Sequence, residues 1–396
     1  MIPYGRQSIS EEDIRAVVDV LRSDFLTQGP VVGRFEEAVA AYCGARYAVA
    51  VNSATSALHI ACLAAGLGPG DTLWTSPNTF VASANCALYC NASVDFVDID
   101  PRTYNMSVAE LEKKLQEADR KGKLPKVVVP VHFAGQSCEM EQIHQLTGRY
   151  GFSIMEDASH AIGARYRGEK VGCCSYSDMT VFSFHPVKII TTGEGGMVLT
   201  NRKDLYDKLI RMRSHGVTRD SSLMAGECHG PWYYQQIELG FNYRMTDIQA
   251  ALGASQMARL DEFVARRHQL AKRYDDAFGD LPLTLPRQNP DSYSSFHLYV
   301  IRLSTDQTGQ SRLAVYERMR QRGIAANVHY IPVHTQPYYQ ARGFREGDFP
   351  RSEEYYRQAI TLPLFPAMTE SEQDRVIEAL REILSANSSP HGGRHD

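Results

Sequence analysis

Apolar runs rich in β-branched residues alternate with segments of helical spacing through the first two-thirds of the chain. Short apolar runs bounded by polar residues or glycine predict strands, and apolar residues recurring every three or four positions predict helices. The predicted strands span residues 47–51, 93–97, 126–132, 152–156, 179–184 and 196–200, and the predicted helices span residues 55–66, 107–118 and 140–150. Strands that alternate with helices indicate an α/β fold with a mostly parallel sheet covered on both faces.

The pattern changes in the last third of the chain. Residues 246–277 are rich in Ala and Arg and predict one long helix that bridges to a second unit. Beyond Pro286 the pattern is mixed α+β. It predicts strands at 295–303 and 324–330 and a helix at 311–322.

The chain ends in a helix followed by a polar tail. Thr369 and Glu372 have the spacing of a capping box, which predicts a last helix reaching about residue 384. We therefore predict a large domain at 1–250 and a smaller α+β domain at 251–385. The remaining residues, 386–396, have the composition of a disordered tail.

Composition excludes several classes of protein. The 396 residues include 42 Lys and Arg against 46 Asp and Glu, a net charge of −4, so no basic excess favours nucleic acid. The N-terminus lacks the apolar core of a secretion signal, and the most apolar stretch, 47–68, is interrupted by polar residues. The eight cysteines show no C-x-x-C spacing, so we expect free thiols and no metal site. These features predict a cytoplasmic protein without a membrane span.

Lys188 is the most informative candidate for catalysis. It follows an apolar run and Pro186, and a segment of small residues, 191–196, comes after it, so its amine is open to approach by a carbonyl group. Taken alone, a lysine on a surface loop explains the same pattern. Asp157, however, ends another apolar run, where α/β sheets place their ligands. Pyridoxal 5′-phosphate (PLP) has an aldehyde, which needs an amine, and a ring nitrogen, which needs an anion. An amine and a buried carboxylate are therefore the least that a PLP site must contain.

A possible anion site lies where the strand at 47–51 is followed by a helix. Ala54, Thr55 and Ser56 are small or hydroxyl residues at that turn. Unpaired backbone N–H groups and the helix dipole favour a phosphate there. The turn is equally well explained as an ordinary N-cap.

Four other residues are candidates for the site, and three of them also have a structural explanation. Phe80 follows a Pro turn and could stack on a planar ring or pack in the core. His160, close after Asp157, could contact the same ring or be a structural histidine. Ser183 is near enough to Lys188 in sequence to donate to the same phosphate. Asn242 lies in a polar loop before the long helix and could bind a ligand or stabilise a turn.

Taken together, these segments resemble the DegT/DnrJ/EryC1/StrS family of sugar aminotransferases. The resemblance extends to about residue 385 and implies the type I (aspartate aminotransferase) PLP-dependent fold. The segments that carry it are SATSALH (53–59), EDASHA (156–161), FSFHPVK (182–188), EGG (194–196), RSHG (213–216) and GFNYRM (240–245).

The resemblance implies roles for individual residues. Lys188 would bind the PLP aldehyde as a Schiff base and move the proton, and Asp157 would pair with the ring nitrogen. His160 would support the ring, and Phe80 would stack on it. Asn242 would reach the cofactor of a neighbouring subunit, which implies a homodimer with shared active sites. The implied phosphate ligands are Thr55, Ser56 and Ser183, and Ala54 is a further implied cofactor-binding residue.

Within the family, the chain most resembles aminotransferases that act at C4 of a UDP-linked 4-keto-6-deoxy-N-acetylhexosamine in pseudaminic acid biosynthesis. The segments LTQGP (26–30), WTSPNTFVA (74–82) and VHYIPVH (328–334) carry this finer likeness. It implies ping-pong transfer, with L-glutamate as the amino donor. One departure is His160, where many relatives have glutamine. The implied sugar-nucleotide pocket consists of Tyr4, Phe25, Leu26, Thr27, His329 and Tyr330.

Three alternatives stay open at this point. Some relatives are PLP-dependent sugar dehydratases that have histidine in place of the Schiff-base lysine, and Lys188 argues against that activity. The sugar could instead be aminated at C3, or be another nucleotide sugar such as UDP-4-keto-arabinose. A non-catalytic sugar-binding or regulatory protein could also use this fold, although Lys188 and Asp157 are both retained.

Overall fold

The computed structural model describes residues 1–385. Its centre is a seven-stranded sheet. The strands are β1 Tyr47–Val51, β2 Thr72–Thr75, β3 Ser93–Phe96, β4 Val127–Val129, β5 Ser153–Asp157, β6 Met179–Ser183 and β7 Gly196–Thr200. Their order across the sheet is β1-β7-β6-β5-β4-β2-β3. Strands β2 to β6 pair in parallel, whereas β7 runs antiparallel to both of its neighbours, β1 and β6.

Helices cover this sheet on both faces. The helices of this part are α1 Glu11–Leu21, α2 Pro30–Cys43, α3 Ala54–Ala64, α4 Ala82–Tyr89, α5 Val108–Arg120, α6 Met140–Tyr150, α7 Lys203–Arg213 and α8 Asp247–Met257. One buried cluster combines α3, α4 and α7 with one face of the sheet. A second cluster combines α2 and α8 with the other face. The α/β fold with a mostly parallel sheet is thereby confirmed.

The C-terminal part has a three-stranded antiparallel sheet. It consists of β8 Leu283–Thr284, β9 Tyr299–Leu303 and β10 Ala359–Leu362, with β9 in the middle. The longer helices here are α9 Leu260–Phe278, α10 Arg312–Gln321, α11 Pro350–Gln358 and α12 Glu370–Ser385. The capping box predicted for the last helix is confirmed: the Glu372 N–H donates to Thr369 Oγ1 (3.1 Å), and the Thr369 N–H donates to Glu372 Oε2 (2.9 Å).

Three predicted elements of the C-terminal part are wrong in extent. The strand predicted at 295–303 is limited to Tyr299–Leu303. The single helix predicted at 246–277 is two helices, α8 and α9, with a break at Arg259. The Arg259 guanidinium there bonds to the buried carboxylate of Asp13, a tertiary contact that overrides local helix propensity. The strand predicted at 324–330 is limited to Ile324–Ala325, which pairs in parallel with Ile2–Pro3. Residues 326–332 continue without regular structure, and residues 329 and 330 line the cavity of the candidate site.

Helix α9 belongs to two cores. Its first turns contribute Leu260 and Phe263 to the cluster beneath the large sheet. Its later turns contribute Tyr274 and Phe278 to the cluster beneath the C-terminal sheet. The predicted domain division at residue 250 stays a prediction, and the predicted tail lies outside the described residues. Within residues 1–385, no helix is both long enough and apolar enough to cross a bilayer.

Candidate active site

The candidate site is a cavity of about 460 Å³ at the carboxyl ends of β5 and β6 and the N-terminus of α3. Carboxyl ends of parallel strands are where α/β sheets place ligands. The cavity brings together most residues that the sequence predicts for the site. Those that line it are Tyr4, Ala54, Thr55, Phe80, Asp157, His160, Ser183, Lys188, His329 and Tyr330.

Lys188 lies in the loop between β6 and β7. The loop is closed at its base because the Phe184 N–H donates to the Gly195 carbonyl (2.9 Å) and the Thr192 N–H donates to the Phe184 carbonyl (3.0 Å). Burial lowers the pKa of Lys188 to about 8, although the nearby Asp157 carboxylate acts in the opposite direction. The lysine is therefore able to act as a neutral amine near physiological pH.

Asp157 ends β5 and is 4% exposed. Its Oδ1 atom accepts hydrogen bonds from the Ser159 N–H (3.1 Å) and the Ser159 hydroxyl (2.6 Å). Its Oδ2 atom accepts a third from the Ser83 hydroxyl (2.6 Å). Three donors stabilise the ionised form of a buried carboxylate. The site thus holds an anion that a protonated ring nitrogen can approach.

Two of the three predicted cofactor-binding residues on α3 line the cavity. Ala54 and Thr55 begin the helix, whose dipole favours an anion at this end. Ser56 is turned away: its N–H donates to Ser53 Oγ (3.1 Å), and its hydroxyl donates to Asn52 Oδ1 (2.7 Å). Gly196 on β7 passes this turn so closely that a Cβ would lie 2.5 Å from the Ala54 nitrogen.

His160 is held in one neutral tautomer. Its Nδ1 atom accepts from the Ala134 N–H (3.2 Å), so the ring hydrogen is on Nε2 and points to the Tyr330 hydroxyl oxygen (3.0 Å). Burial, with smaller effects of Lys188 and His329, holds the pKa of His160 well below its usual value. A neutral His160 therefore donates a hydrogen bond to Tyr330.

The other predicted pocket residues form an aromatic wall. The Tyr4 and His329 rings are 5.2 Å apart, and the Phe80 and Tyr330 rings are 6.4 Å apart. Burial, followed by the proximity of Lys188, lowers the pKa of His329 to about 3. Burial also raises the pKa of the Tyr330 hydroxyl. The wall therefore presents neutral hydrogen-bonding groups beside an exposed aromatic ring, Phe80.

Several predicted residues lie outside this cavity. Phe25 and Leu26 are about half exposed, and Thr27 pairs with Thr246. Asn242 is exposed and pairs with Ser214. The roles of these residues stay predictions.

Sequence reasoning missed Ser83 and Ser159, which bind the Asp157 carboxylate from two sides. The spacing Asp-x-Ser at 157–159 is a local turn signal that could have identified Ser159. Ser83 lies on α4, distant in sequence, and no local motif marks it. Among the described residues, no group of three or more His, Cys, Asp or Glu side chains could hold a metal ion.

The residues present fit PLP. The cavity contains an amine of lowered pKa, a hydrogen-bonded carboxylate, a helix N-terminus and an exposed aromatic ring. Lys188, Asp157, Thr55 and Phe80 match the aldehyde, ring nitrogen, phosphate and ring face of that cofactor. Together with a mostly parallel sheet that has one antiparallel strand, these features define a PLP-dependent enzyme of fold type I.

The chain belongs to the DegT/DnrJ/EryC1/StrS aminotransferase family, whose model matches residues 7–381. It is 40% identical over 386 residues to the spore coat polysaccharide biosynthesis protein SpsC of Bacillus subtilis, covering 97% of each chain. Among solved structures, it is similar to Helicobacter pylori PseC, an aminotransferase involved in the biosynthesis of pseudoaminic acid. That likeness has 31% identity and a TM-score of 0.88, covering 97% of this chain and 99% of the other.

A second solved structure, the putative sugar aminotransferase Spr1654 from Streptococcus pneumoniae in its PMP form, is 28% identical. Its TM-score is 0.87, and the match covers 98% of this chain and all of the other. Spr1654 has also been solved in its PLP form. The enzyme is therefore a sugar aminotransferase of this family and uses PLP as its cofactor.

Proposed function

We propose that the enzyme transfers an amino group from L-glutamate to C4 of UDP-2-acetamido-2,6-dideoxy-β-L-arabino-hex-4-ulose, a step of pseudaminic acid biosynthesis. The observation that carries the transaminase reaction is the placement of Lys188, with its lowered pKa, in one cavity with Asp157. The likeness to PseC, an enzyme of pseudoaminic acid biosynthesis, supports the choice of sugar.

Lys188 carries most of the proposed chemistry. PLP, when bound, supplies an electron sink for the carbanion that forms at the α-carbon of the amino donor. The Lys188 Nζ atom would hold the PLP aldehyde carbon until the donor amine displaces it. The freed, neutral Nζ would then take the proton from the donor α-carbon and deliver it to the former aldehyde carbon of PLP. With a pKa of about 8, roughly a tenth of the lysine is uncharged at pH 7.

The remaining residues would bind and orient. Asp157 would keep the ring nitrogen protonated, and His160 would support the ring from the wall that it shares with Tyr330. Phe80 would stack on the ring face. The phosphate would lie against the start of α3, where Ala54 and Thr55 line the cavity, and Ser183 on β6 lines the same cavity.

The sugar nucleotide would enter along the aromatic wall formed by Tyr4, His329 and Tyr330. Their protonation states suit hydrogen bonds to sugar hydroxyl groups without adding charge. We also propose a homodimer in which Asn242 reaches the cofactor of the partner subunit and residues 25–27 contribute to the sugar-nucleotide pocket. These residues do not line the cavity of their own chain. We also propose a cytoplasmic location.

An absorbance scan of the PLP-loaded enzyme tests both half-reactions. L-glutamate should remove the absorbance band of PLP bound to Lys188, and the UDP-4-keto sugar should restore it. If glutamate removes the band and only UDP-4-keto-arabinose or a 3-keto sugar restores it, the proposed sugar is wrong while the transaminase stands. The 40% identity to a spore coat polysaccharide biosynthesis protein, whose name indicates no pseudaminic acid, is the reason to compare other keto sugars.

Variants separate the catalytic proposal from a non-catalytic sugar-binding protein. Lys188→Ala should abolish the band and its trapping by borohydride, because no amine would then bind the PLP aldehyde. Lys203→Ala, at an exposed lysine on α7, is the matched control and should keep both. A borohydride-trapped adduct that survives in Lys188→Ala, or an unaltered wild-type spectrum after glutamate, would contradict the proposal.

A further inference from the structure

Ser83 is a buried hydroxyl residue on α4 that faces the same cavity as Asp157. It is 1% exposed, and its Oγ atom lies 2.6 Å from Asp157 Oδ2, across a sequence separation of 74 residues. We propose that Ser83, supported by Thr79, is a positioning residue that fixes the Asp157 carboxylate in its ionised form, with one oxygen open toward the PLP ring nitrogen. This inference rests on the role that the proposed function gives to Asp157.

The direction of these hydrogen bonds follows from counting protons. An ionised carboxylate only accepts, so the single hydroxyl proton of Ser83 goes to Asp157. The Phe80 carbonyl, at 3.4 Å, is a much poorer acceptor for that proton. The Thr79 hydroxyl, 2.7 Å from Ser83 Oγ, must then be the donor to Ser83. Thr79, Ser83 and Asp157 thus form a buried chain with one possible polarity, and successive bonds in such a chain strengthen one another.

These hydrogen bonds determine which acceptor position of the Asp157 carboxylate is left for a ligand. A carboxylate has about four lone-pair positions. Ser159 uses two of them on Oδ1, and Ser83 uses one on Oδ2. The position left over is on Oδ2, and Asp157, Ser83 and Ser159 all line the cavity. Ser83 thereby limits the carboxylate to one arrangement and stabilises its charge in a buried environment.

The test compares Ser83→Ala with Thr79→Val and with Ser76→Ala. Ser76 is the matched control because it is equally buried in the same segment but accepts from the Asn78 N–H instead of contacting Asp157. The dissociation constant of PLP is measured by equilibrium dialysis from pH 5 to 9, alongside the melting temperature of each PLP-free variant.

Ser83→Ala should weaken PLP binding about tenfold at pH 7, the effect of losing one hydrogen bond to a charged group. A carboxylate that has lost a donor is protonated more readily, so the acid-side loss of PLP affinity should move to higher pH. Thr79→Val should shift the profile in the same direction by a smaller amount. Ser76→Ala should leave the profile unchanged, even if it lowers the melting temperature as much as Ser83→Ala does.

The proposal is overturned if Ser83→Ala binds PLP with the wild-type constant and pH profile, or if Ser76→Ala produces the same shift. Asp157→Ala separates this outcome from failure of the proposed function. Strong loss of PLP binding in Asp157→Ala with a wild-type Ser83→Ala would refute only the role of Ser83. Unchanged binding in Asp157→Ala would refute the role of Asp157 itself, and with it the proposal for Ser83.

Discussion

Glu156 precedes Asp157 on β5 and, because strand side chains alternate, points to the opposite face of the sheet. Its Oε2 atom is 2.6 Å from His132 Nε2, and its Oε1 atom accepts from the hydroxyls of Ser177 (2.5 Å) and Thr180 (3.0 Å). The Cys138 N–H donates to His132 Nδ1 (3.1 Å), so the bond to Glu156 is made by the hydrogen on Nε2.

Replacing Glu156 with Gln keeps the volume but removes the charge. Serine and threonine hydroxyls can rotate to accept from the new amide, whereas the His132 N–H still needs the amide oxygen. The variant therefore keeps its three hydrogen bonds but loses the extra strength that the carboxylate charge gives them. We expect Glu156→Gln to lower the free energy of unfolding by about 2 kcal/mol. Glu156→Ala leaves the His132 N–H without an acceptor and opens a cavity, so it should cost about 4 kcal/mol.

Urea unfolding followed by tryptophan fluorescence measures both values, since Trp74 on β2 is buried and Trp232 is exposed. Burial alone would raise the pKa of Glu156, but hydrogen bonds from His132, Ser177 and Thr180 outweigh it and lower the pKa. Its stabilisation is thus complete above the unfolded value of about 4.5 and is lost as pH falls further, so pH 7 is the proper condition. A Glu156→Gln variant within about 0.5 kcal/mol of wild type, or one as unstable as Glu156→Ala, would refute this reasoning.

Three further predictions concern the surroundings of the site. Gly196→Ala should weaken PLP binding at least about tenfold in dialysis, because its Cβ would lie 2.5 Å from backbone atoms at the start of α3 and force that turn to move. Asp247→Asn should lower the free energy of unfolding by about 1–2 kcal/mol and increase proteolysis near residues 25–29, because Asp247 accepts from the N–H groups of Gly29 and Val31 at the start of α2. The stability of the PLP-free enzyme should fall from about pH 6.5 downward, by up to about 1.4 kcal/mol per pH unit for His329, since a histidine with a pKa of about 3 when folded takes up its proton only on unfolding. His329→Asn should reduce that slope in urea titrations between pH 5 and 7, and an unchanged slope would count against this assignment.

The strands whose bounds the sequence predicted correctly are buried on nearly every residue. Strands β1 and β7 have the predicted bounds, because their continuous apolar runs are needed where a sheet is covered on both faces. Strand β2 escaped prediction since Thr72–Thr75 contains only two apolar residues. It is held by neighbours on both sides and by a bond from the Thr75 hydroxyl to the Val129 carbonyl (2.9 Å). Such support comes from distant segments and leaves no local pattern.

Helix α1 also escaped prediction, although the chain carries a local signal for it. Ser10 and Asp13 form a complete capping box, in which each side chain accepts from the N–H of the other residue. The antiparallel direction of β7 could not be read from its apolar run, because the periodicity of a strand is the same in both directions. The direction follows from the loop after β6, which contains Lys188 and returns the chain beside the strand that it has just left.

The two neighbouring carboxylates of β5 have different roles: Glu156 stabilises the fold, and Asp157 faces the cavity. Glu156 bonds to the His132 ring and to two hydroxyls, all on the side away from the cavity. Asp157, one residue on, keeps an acceptor position toward the cavity because Ser83 and Ser159 occupy the others. A shift of one residue in the register of β5 would exchange the two carboxylates and lose both arrangements. The buried network around Glu156 therefore acts on the proposed chemistry by fixing that register, without contacting any group in the cavity.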